Sequence, residues 1–527
     1  MSLRAISFFL LAFVAGAASA QQTACDGGSV FLDNNGNGIR DAGEAGLPGM
    51  RVSDGERIVL TDSAGGYRLA TPSGQSTFLI KPAGYRASTR SDGLPDTWTN
   101  VQAQAGPTLR HGGVPVAPAT CKDFGLARDS AGPTAPLSVL LLGDPQPKSL
   151  VDVDYYQRDI VAPLRGKSRA QLAISLGDIV NDDLSLYPAL KAVDASLGIP
   201  WLHAAGNHDM DFDADSDARS LDSFRHAFGP DTHAWEEEQA GFIVLDDVVY
   251  QPGRTPVYVG GLREQQFAFL SAYLASVPKD RLLVIALHIP LFDVGGVETF
   301  RHADRQRLFA LLQPFPNLLV LSGHTHNQQH FFHGPTTGWQ GEKPLHEYNV
   351  GTASGAYWTG AKDADGIPST TMSDGTPNGY AMLSVHDGEF DLRWFAAREP
   401  EGHQMALHAP KVLRKGAYPG FAVYANVFMG DASTQVEYRI DDGEWKPMRK
   451  VLQADPIVLD ENSRDDSTDS LRGFDRLPEA SASTHLWRGT LATDLDLGRH
   501  RVEVRANIAG FGLALAQTTY RLDEAKP

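Results

Sequence analysis

The feature that most constrains this chain is a set of five short polar stretches, each placed after a run of mostly apolar residues. Val139 to Leu142 leads into Gly143-Asp144-Pro145-Gln146, and Leu172 to Leu176 into Gly177-Asp178. Trp201 to Ala205 leads into Gly206-Asn207-His208-Asp209, and Leu282 to Leu287 into His288 and Pro290. Leu318 to Leu321 precedes Gly323-His324-Thr325-His326. Short apolar runs that end at glycine predict buried strands. Their polar followers then fall on loops at the carboxyl ends of strands, where open α/β sheets build their sites. The expectation is an α/β domain in which two carboxylates, an amide pair and three imidazoles converge.

Those residue types carry a chemistry. Mn, Fe and Zn take imidazole and carboxylate donors, and the lack of cysteine in all five stretches argues against a structural zinc or iron–sulfur site. Two cations a few Å apart need a shared anion, and Asp178, alone after its glycine, is suited to bridge them. Such a pair lowers the pKa of bound water and clamps the oxygens of an in-line phosphoryl displacement.

The ordered set resembles the calcineurin-like metallophosphoesterase superfamily, which includes purple acid phosphatases and protein phosphatases, over residues 136–398. That resemblance implies a four-layer αββα sandwich. It also implies two divalent ions drawn from Mn, Fe, Zn and Mg, with Mn favoured. One ion would take Asp144, Asp178 and His326, and the other Asp178 as bridge with Asn207, His288 and His324. His208 would sit above the metals, stabilising the transition state or protonating the leaving oxygen, with Asp209 orienting its ring. The implied activity is hydrolysis of small phosphate esters by a metal-bound hydroxide, as a phosphomonoesterase or phosphodiesterase. A nucleotide or cyclic-nucleotide phosphodiesterase is the runner-up. A catalytically inactive periplasmic or surface binding protein is the alternative from another class.

One position departs from the family pattern: Gln146 stands where most members carry His. A glutamine carbonyl is a neutral, hard donor that favours Mn or Mg over Zn. Alternatively Gln146 binds hydroxide or substrate by hydrogen bond and ligates nothing.

At 527 residues the chain is too long for one core. Residues 1–20 carry Arg4, an apolar stretch from Ile6 to Val14 and Ala18-Ser19-Ala20, the pattern of a signal peptide for a secreted or periplasmic protein. No other stretch is apolar enough to span a membrane. The only cysteines are Cys25 and Cys121, and export permits their pairing in a disulfide. The formal net charge of −18 argues against a nucleic-acid groove, while cations would supply local positive charge for small phosphate esters.

Between the cysteines, Asp33, Asn35, Asn37, Ile39, Asp41 and Glu44 fit the calcium-loop pattern, with Gly38 at its sharp turn. The flanks read as strands, and the segment resembles calcium-stiffened B-type repeats of bacterial surface adhesins. The expected layout is an N-terminal β-sandwich over 21–127 with a structural Ca²⁺, a turn-rich linker from Arg128 to Pro136, the catalytic segment 136–398, and a C-terminal β-sandwich over 405–524. Glu264 to Val277 has helical periodicity, whereas the acidic segment Asp455 to Glu479 reads as a long loop. The irregular stretch Gly351 to Gly379, with Tyr357 and Trp358, could shape a substrate pocket or belong to the core.

Overall fold

The apolar runs become strands buried on both faces. The computed structural model describes residues 26–117, 121–129, 135–418 and 420–525. Leu137–Leu142, Leu172–Ser175 and Trp201–His203 are parallel neighbours in a five-stranded sheet, completed by the antiparallel hairpin Gly379–His386 and Glu389–Ala396. A six-stranded sheet runs in the order His233–Glu236, Ala240–Val244, Leu282–Ala286, Leu318–Ser322, Leu345–Asn349, Gln329–His333. Its four inner strands are parallel and both edges antiparallel. Alternate residues of the two sheets (Val139, Leu141, Ile174, Val244, Val284, Leu319) share one core. The others (Leu140, Leu142, Ile243, Ile285, Val320) meet helical residues such as Tyr156, Leu190, Phe269 and Leu308. Burial on both faces is why these strands read as continuous apolar runs rather than alternating ones. The helix foreseen from Glu264 forms as Glu264–Ser276, burying Phe267, Leu270 and Leu274.

The N-terminal module has two four-stranded sheets about a small core of Val30, Val52, Tyr67, Leu79, Phe124 and Leu126. It is joined to the catalytic segment by polar contacts. Lys81, 2% exposed, reaches Glu237 at 2.7 Å, and Asn100 donates to the Arg225 carbonyl at 2.8 Å. The Glu236 amide donates to the Lys81 carbonyl at 2.9 Å, and Lys81 bridges Trp235 in parallel fashion, so this module borders an edge of the six-stranded sheet. The signal peptide expected over 1–20 lies outside the described residues. So do linker residues 130–134 and Cys25, and with Cys25 its pairing with Cys121.

The C-terminal module has a four-stranded and a five-stranded sheet. Within the segment expected to be a loop, Pro456–Asp466 is a helix. Asp455 caps it by accepting from the Ile457 amide, and Pro456 occupies the first turn, where its missing N–H costs nothing. Only Val458 and Asn462, four residues apart, are buried. One narrow inward stripe leaves the composition acidic and polar, which hides the helix from a reading by composition. Among the described residues no helix is long and apolar enough to cross a membrane.

Candidate metal centre

Every loop flagged in the sequence reaches one place at the carboxyl ends of the strands. Asp144, Asp178, Asn207, His288 and His326 are all buried there, with His324 half-buried. Five of the seven expected ligands hold left-handed backbone: Asp144 (φ 39°), Gln146 (41°), Asp178 (49°), His324 (73°) and His326 (50°). Non-glycine residues in this region cost on the order of 1–3 kcal/mol each and persist where the surroundings impose them, typically at functional sites. The motif glycines permit the crowding. A Cβ on Gly206 would lie 2.2 Å from both the amide nitrogen and Oδ1 of Asp178.

The hydrogen bonds set which atoms face inward. His288 Nδ1 lies 2.8 Å from the Leu176 carbonyl, which takes its proton and leaves Nε2 toward the site. That Nε2 is 3.1 Å from Asn207 Oδ1, 3.4 Å from Asp178 Oδ1 and 3.2 Å from His324 Nδ1. His326 Nδ1 likewise meets the Gly355 carbonyl at 2.7 Å, leaving Nε2 3.6 Å from Asp144 Oδ1. The Gln146 Nε2 amide donates to Asp178 Oδ2 at 3.1 Å, while its Oε1 is buried without a partner. Asp178, His288 and His324 offer ligand atoms within 4.8 Å of one another. Carboxylate, amide and imidazole donors this close, with an orphaned oxygen beside them, fit divalent cations well.

The electrostatics agree. Burial lifts Asp144 to about 7. Burial also opposes the charge on Asp178, but the neighbouring His288 and His208 hold its carboxyl well below the usual range. Against burial, Asp178, Asp144 and Asp247 lift His288 to about 10. His324 and His326 are pushed down to about 3 and about 4, chiefly by burial, and so present neutral nitrogens.

His208 stands at the rim, its backbone N–H donating to Asp178 Oδ1 at 2.8 Å. Its Nδ1 meets Asp182 Oδ1 at 2.7 Å. Asp209, expected to orient this ring, is spent elsewhere. Its carboxylate accepts from the Gly206 amide, the Ile179 amide and the Tyr187 hydroxyl, fully buried. A short side chain at the foot of the loop finds backbone donors before it can reach the neighbouring ring. The sequence signal for Asp182 was present, a second acid four residues after Asp178. Asp247 and Asn349 were also missed. Asp247 accepts from the His288 and Ile289 amides at 3.0 and 2.9 Å, and Asn349 braces the turn through Thr325 and the Gly323 carbonyl. Asp247 follows an apolar run with no glycine to mark it, and Asn349 follows the polar stretch His346-Glu347-Tyr348, which gave no strand-end signal.

Aromatic rings line the same cleft. Tyr357, half-buried and left-handed at φ 60°, stacks on His326 with ring centroids 4.0 Å apart. Tyr258 meets His324 edge-on at 6.2 Å. Trp358 is core, donating to the Pro145 carbonyl at 2.8 Å. In the N-terminal module, Asp33 accepts from the Gly36 and Gly38 amides at 2.7 and 2.8 Å. Asn37 Oδ1 accepts from the Ile39 amide, Asp41 from the Asn35 and Asn37 side chains, and Glu44 from the Asn34 and Asp41 amides. The loop is thus folded on itself by its own side-chain oxygens.

Three family profiles match in chain order: the N-terminal part of calcineurin-like phosphoesterase at residues 34–110, calcineurin-like phosphoesterase itself at 137–328, and its C-terminal part at 347–511. The chain belongs to the calcineurin-like phosphoesterases, in their three-part layout. That family is one of phosphoric ester hydrolases. No curated protein matches it. Among solved structures, a purple acid phosphatase, PPD1, from yellow lupin (Lupinus luteus) seeds is similar at 13% identity and a TM-score of 0.36. That match covers 68% of this chain and 66% of the lupin chain. A cold-active protein-tyrosine phosphatase of a psychrophilic Shewanella species is similar at 12% identity and a TM-score of 0.22, covering 61% of this chain and 93% of that one.

Proposed function

We propose that the protein is an exported hydrolase of phosphate esters, monoesters or diesters, working on two divalent cations. The observation that carries this reading is the meeting of seven donor residues from separate strand ends, five of them on left-handed backbone. Asp144, Asp178 and His326, with Gln146 Oε1, serve one cation; Asp178, Asn207, His288 and His324 serve the other. Bound there, the cations supply charge to polarise the phosphoryl oxygens and lower the pKa of an attacking water. The carbonyl donor of Gln146 favours Mn or Mg over Zn.

The remaining steps belong to the chain. Burial opposes a charge on His208, but the Asp182 hydrogen bond and the charge of Asp178 outweigh it and raise the imidazole above its ordinary range. That upward shift favours the protonated imidazole, and His208 is the group placed to donate a proton to the departing alcohol. Asp182 keeps that proton on the far side of the ring from its own carboxylate. Tyr258 and Tyr357 flank the His324 and His326 rings, and Lys148, with Nζ 5.7 Å from the Tyr357 centroid, adds positive charge beside them for an anionic ester. The pattern of residues 1–20 supports export to the periplasm or medium, and the calcium-loop spacing of Asp33, Asn35, Asn37, Ile39, Asp41 and Glu44 supports a structural Ca²⁺.

The test is metal content by mass spectrometry, paired with hydrolysis of p-nitrophenyl phosphate and bis-p-nitrophenyl phosphate with and without Mn²⁺. The expected result is about two equivalents of metal and Mn-dependent turnover, both lost in Asp178→Asn. A pure protein that takes up no cation and turns over neither ester would refute the reading.

A further inference from the structure

The turn that carries His324 and His326 is anchored outside the catalytic segment. Two residues past His326, the Gln328 backbone N–H donates to Asp374 Oδ2 at 2.7 Å. The same oxygen lies 3.1 Å from His485 Nε2, on a strand of the C-terminal module. His485 Nδ1 in turn meets Asn426 Oδ1 at 2.7 Å. Asn426 Nδ2 donates to the Asp374 carbonyl and to Asp455, at 2.8 Å each, and this fixes which way its amide points. Gln328 Nε2 donates to the Phe428 carbonyl at 2.7 Å. Gln328, Asp374, Asn426, Asp455 and His485 are all at most 2% exposed.

The second grip on this turn comes from the stretch that bears Asp374. It supplies the Gly355 carbonyl to His326 Nδ1, with Thr352 also donating to that carbonyl at 2.8 Å. His326 is thus held through its ring by one end of the 351–379 segment. Its following backbone is held by the other end, and that end is pinned by the C-terminal module. A surface-exposed chain would not bury five polar side chains for such a contact, because each left unpaired costs about 1–3 kcal/mol. Burial works against the charge on Asp374, yet His485 and the Gln328 and Thr376 amides outweigh it and keep the carboxyl below its usual range.

We propose that Asp374 and His485 are positioning residues for the metal centre, through which the C-terminal module keeps His326 in its left-handed, metal-facing conformation. Nothing in this requires either residue to touch a cation or substrate. They act on the backbone that aims the imidazole, as outer-shell partners do at other metal sites. The C-terminal module is then part of the catalytic apparatus rather than an appendage. This inference rests on the two-cation reading above.

The experiment measures Mn²⁺ affinity by chelator competition on the full chain, alongside thermal unfolding and steady-state kinetics. His485→Ala and Asp374→Asn are expected to weaken Mn²⁺ binding about tenfold or more and to lower kcat with little change in KM. His485→Gln, which keeps one donor toward Asp374, should recover part of the loss. Val504→Ala, in the core of the same module and outside the relay, should lower Tm while leaving affinity intact. If His485→Ala does not fold, His485→Gln and Asp374→Asn carry the comparison. Wild-type affinity in the folded variants, or an equal loss in Val504→Ala, overturns the proposal while sparing the metal reading. A wild-type protein that binds no Mn²⁺ overturns both.

Discussion

Two carboxylates close to His208 divide the work of orientation and support, and substitution should separate them. Asp182→Asn removes the charge facing His208 Nδ1, so kcat should fall about a hundredfold with metal content unchanged. Asp209→Asn should instead act on stability, because Asp209 ties Gly206 and Ile179 together. Kinetics and thermal melts on both variants check this. Gln146→His should shift the first site from Mn toward Zn in a competition assay, since imidazole is the softer donor; unchanged selectivity would show that Gln146 ligates nothing. Proton linkage belongs at this scale too. With Asp144 lifted to about 7 and His288 to about 10, an entering cation must displace protons. Mn²⁺ affinity should therefore rise with pH, most steeply below about 7 where Asp144 still holds its proton, and calorimetry in buffers of different ionisation heat should register protons released. A pH-independent affinity would contradict that assignment.

At the scale of elements, the loops were legible where chemistry and turn share a few adjacent residues. Gly177-Asp178 and Gly323-His324-Thr325-His326 declare themselves because the glycine permits the crowding and the ligand follows at once. Asp247 and Asn349 stayed hidden because they meet their partners only after distant segments pack together, and Asp182, though close to Asp178 in sequence, meets His208 only in the fold. Tyr357 and Trp358 are adjacent and both left-handed, yet one faces the cleft and the other the core. Periodicity could not divide them. The helix Pro456–Asp466 was masked by its polar composition, although its Asp-Pro start was a readable cap. The loop from Asp33 to Glu44 yields a prediction of its own: millimolar Ca²⁺ should raise the melting temperature of the protein, and Glu44→Gln should abolish the rise. Identical melting curves with chelator and with Ca²⁺ would remove the calcium assignment.

At the scale of the whole molecule, the three parts are joined by buried polar contacts as well as by chain. Lys81 is the clearest case on the N-terminal side, paired with Glu237 and lying 5.1 Å over the Trp235 ring. Lys81→Ala leaves that partnership broken, and the expected cost is about 3 kcal/mol, seen as a lower denaturant midpoint of a single transition. A loss under about 0.5 kcal/mol would mean the junction is loosely held. The same junction has a consequence for handling the protein. His233–Glu236 is the terminal strand of its sheet, and the backbone of Lys81 occupies hydrogen-bonding positions along it. A catalytic segment expressed without the first module would present that strand bare, with Ala234 and Trp235 newly open to water. Unpaired edges of this kind recruit one another. A catalytic segment trimmed of that module is therefore expected to self-associate through this edge, which light scattering would register.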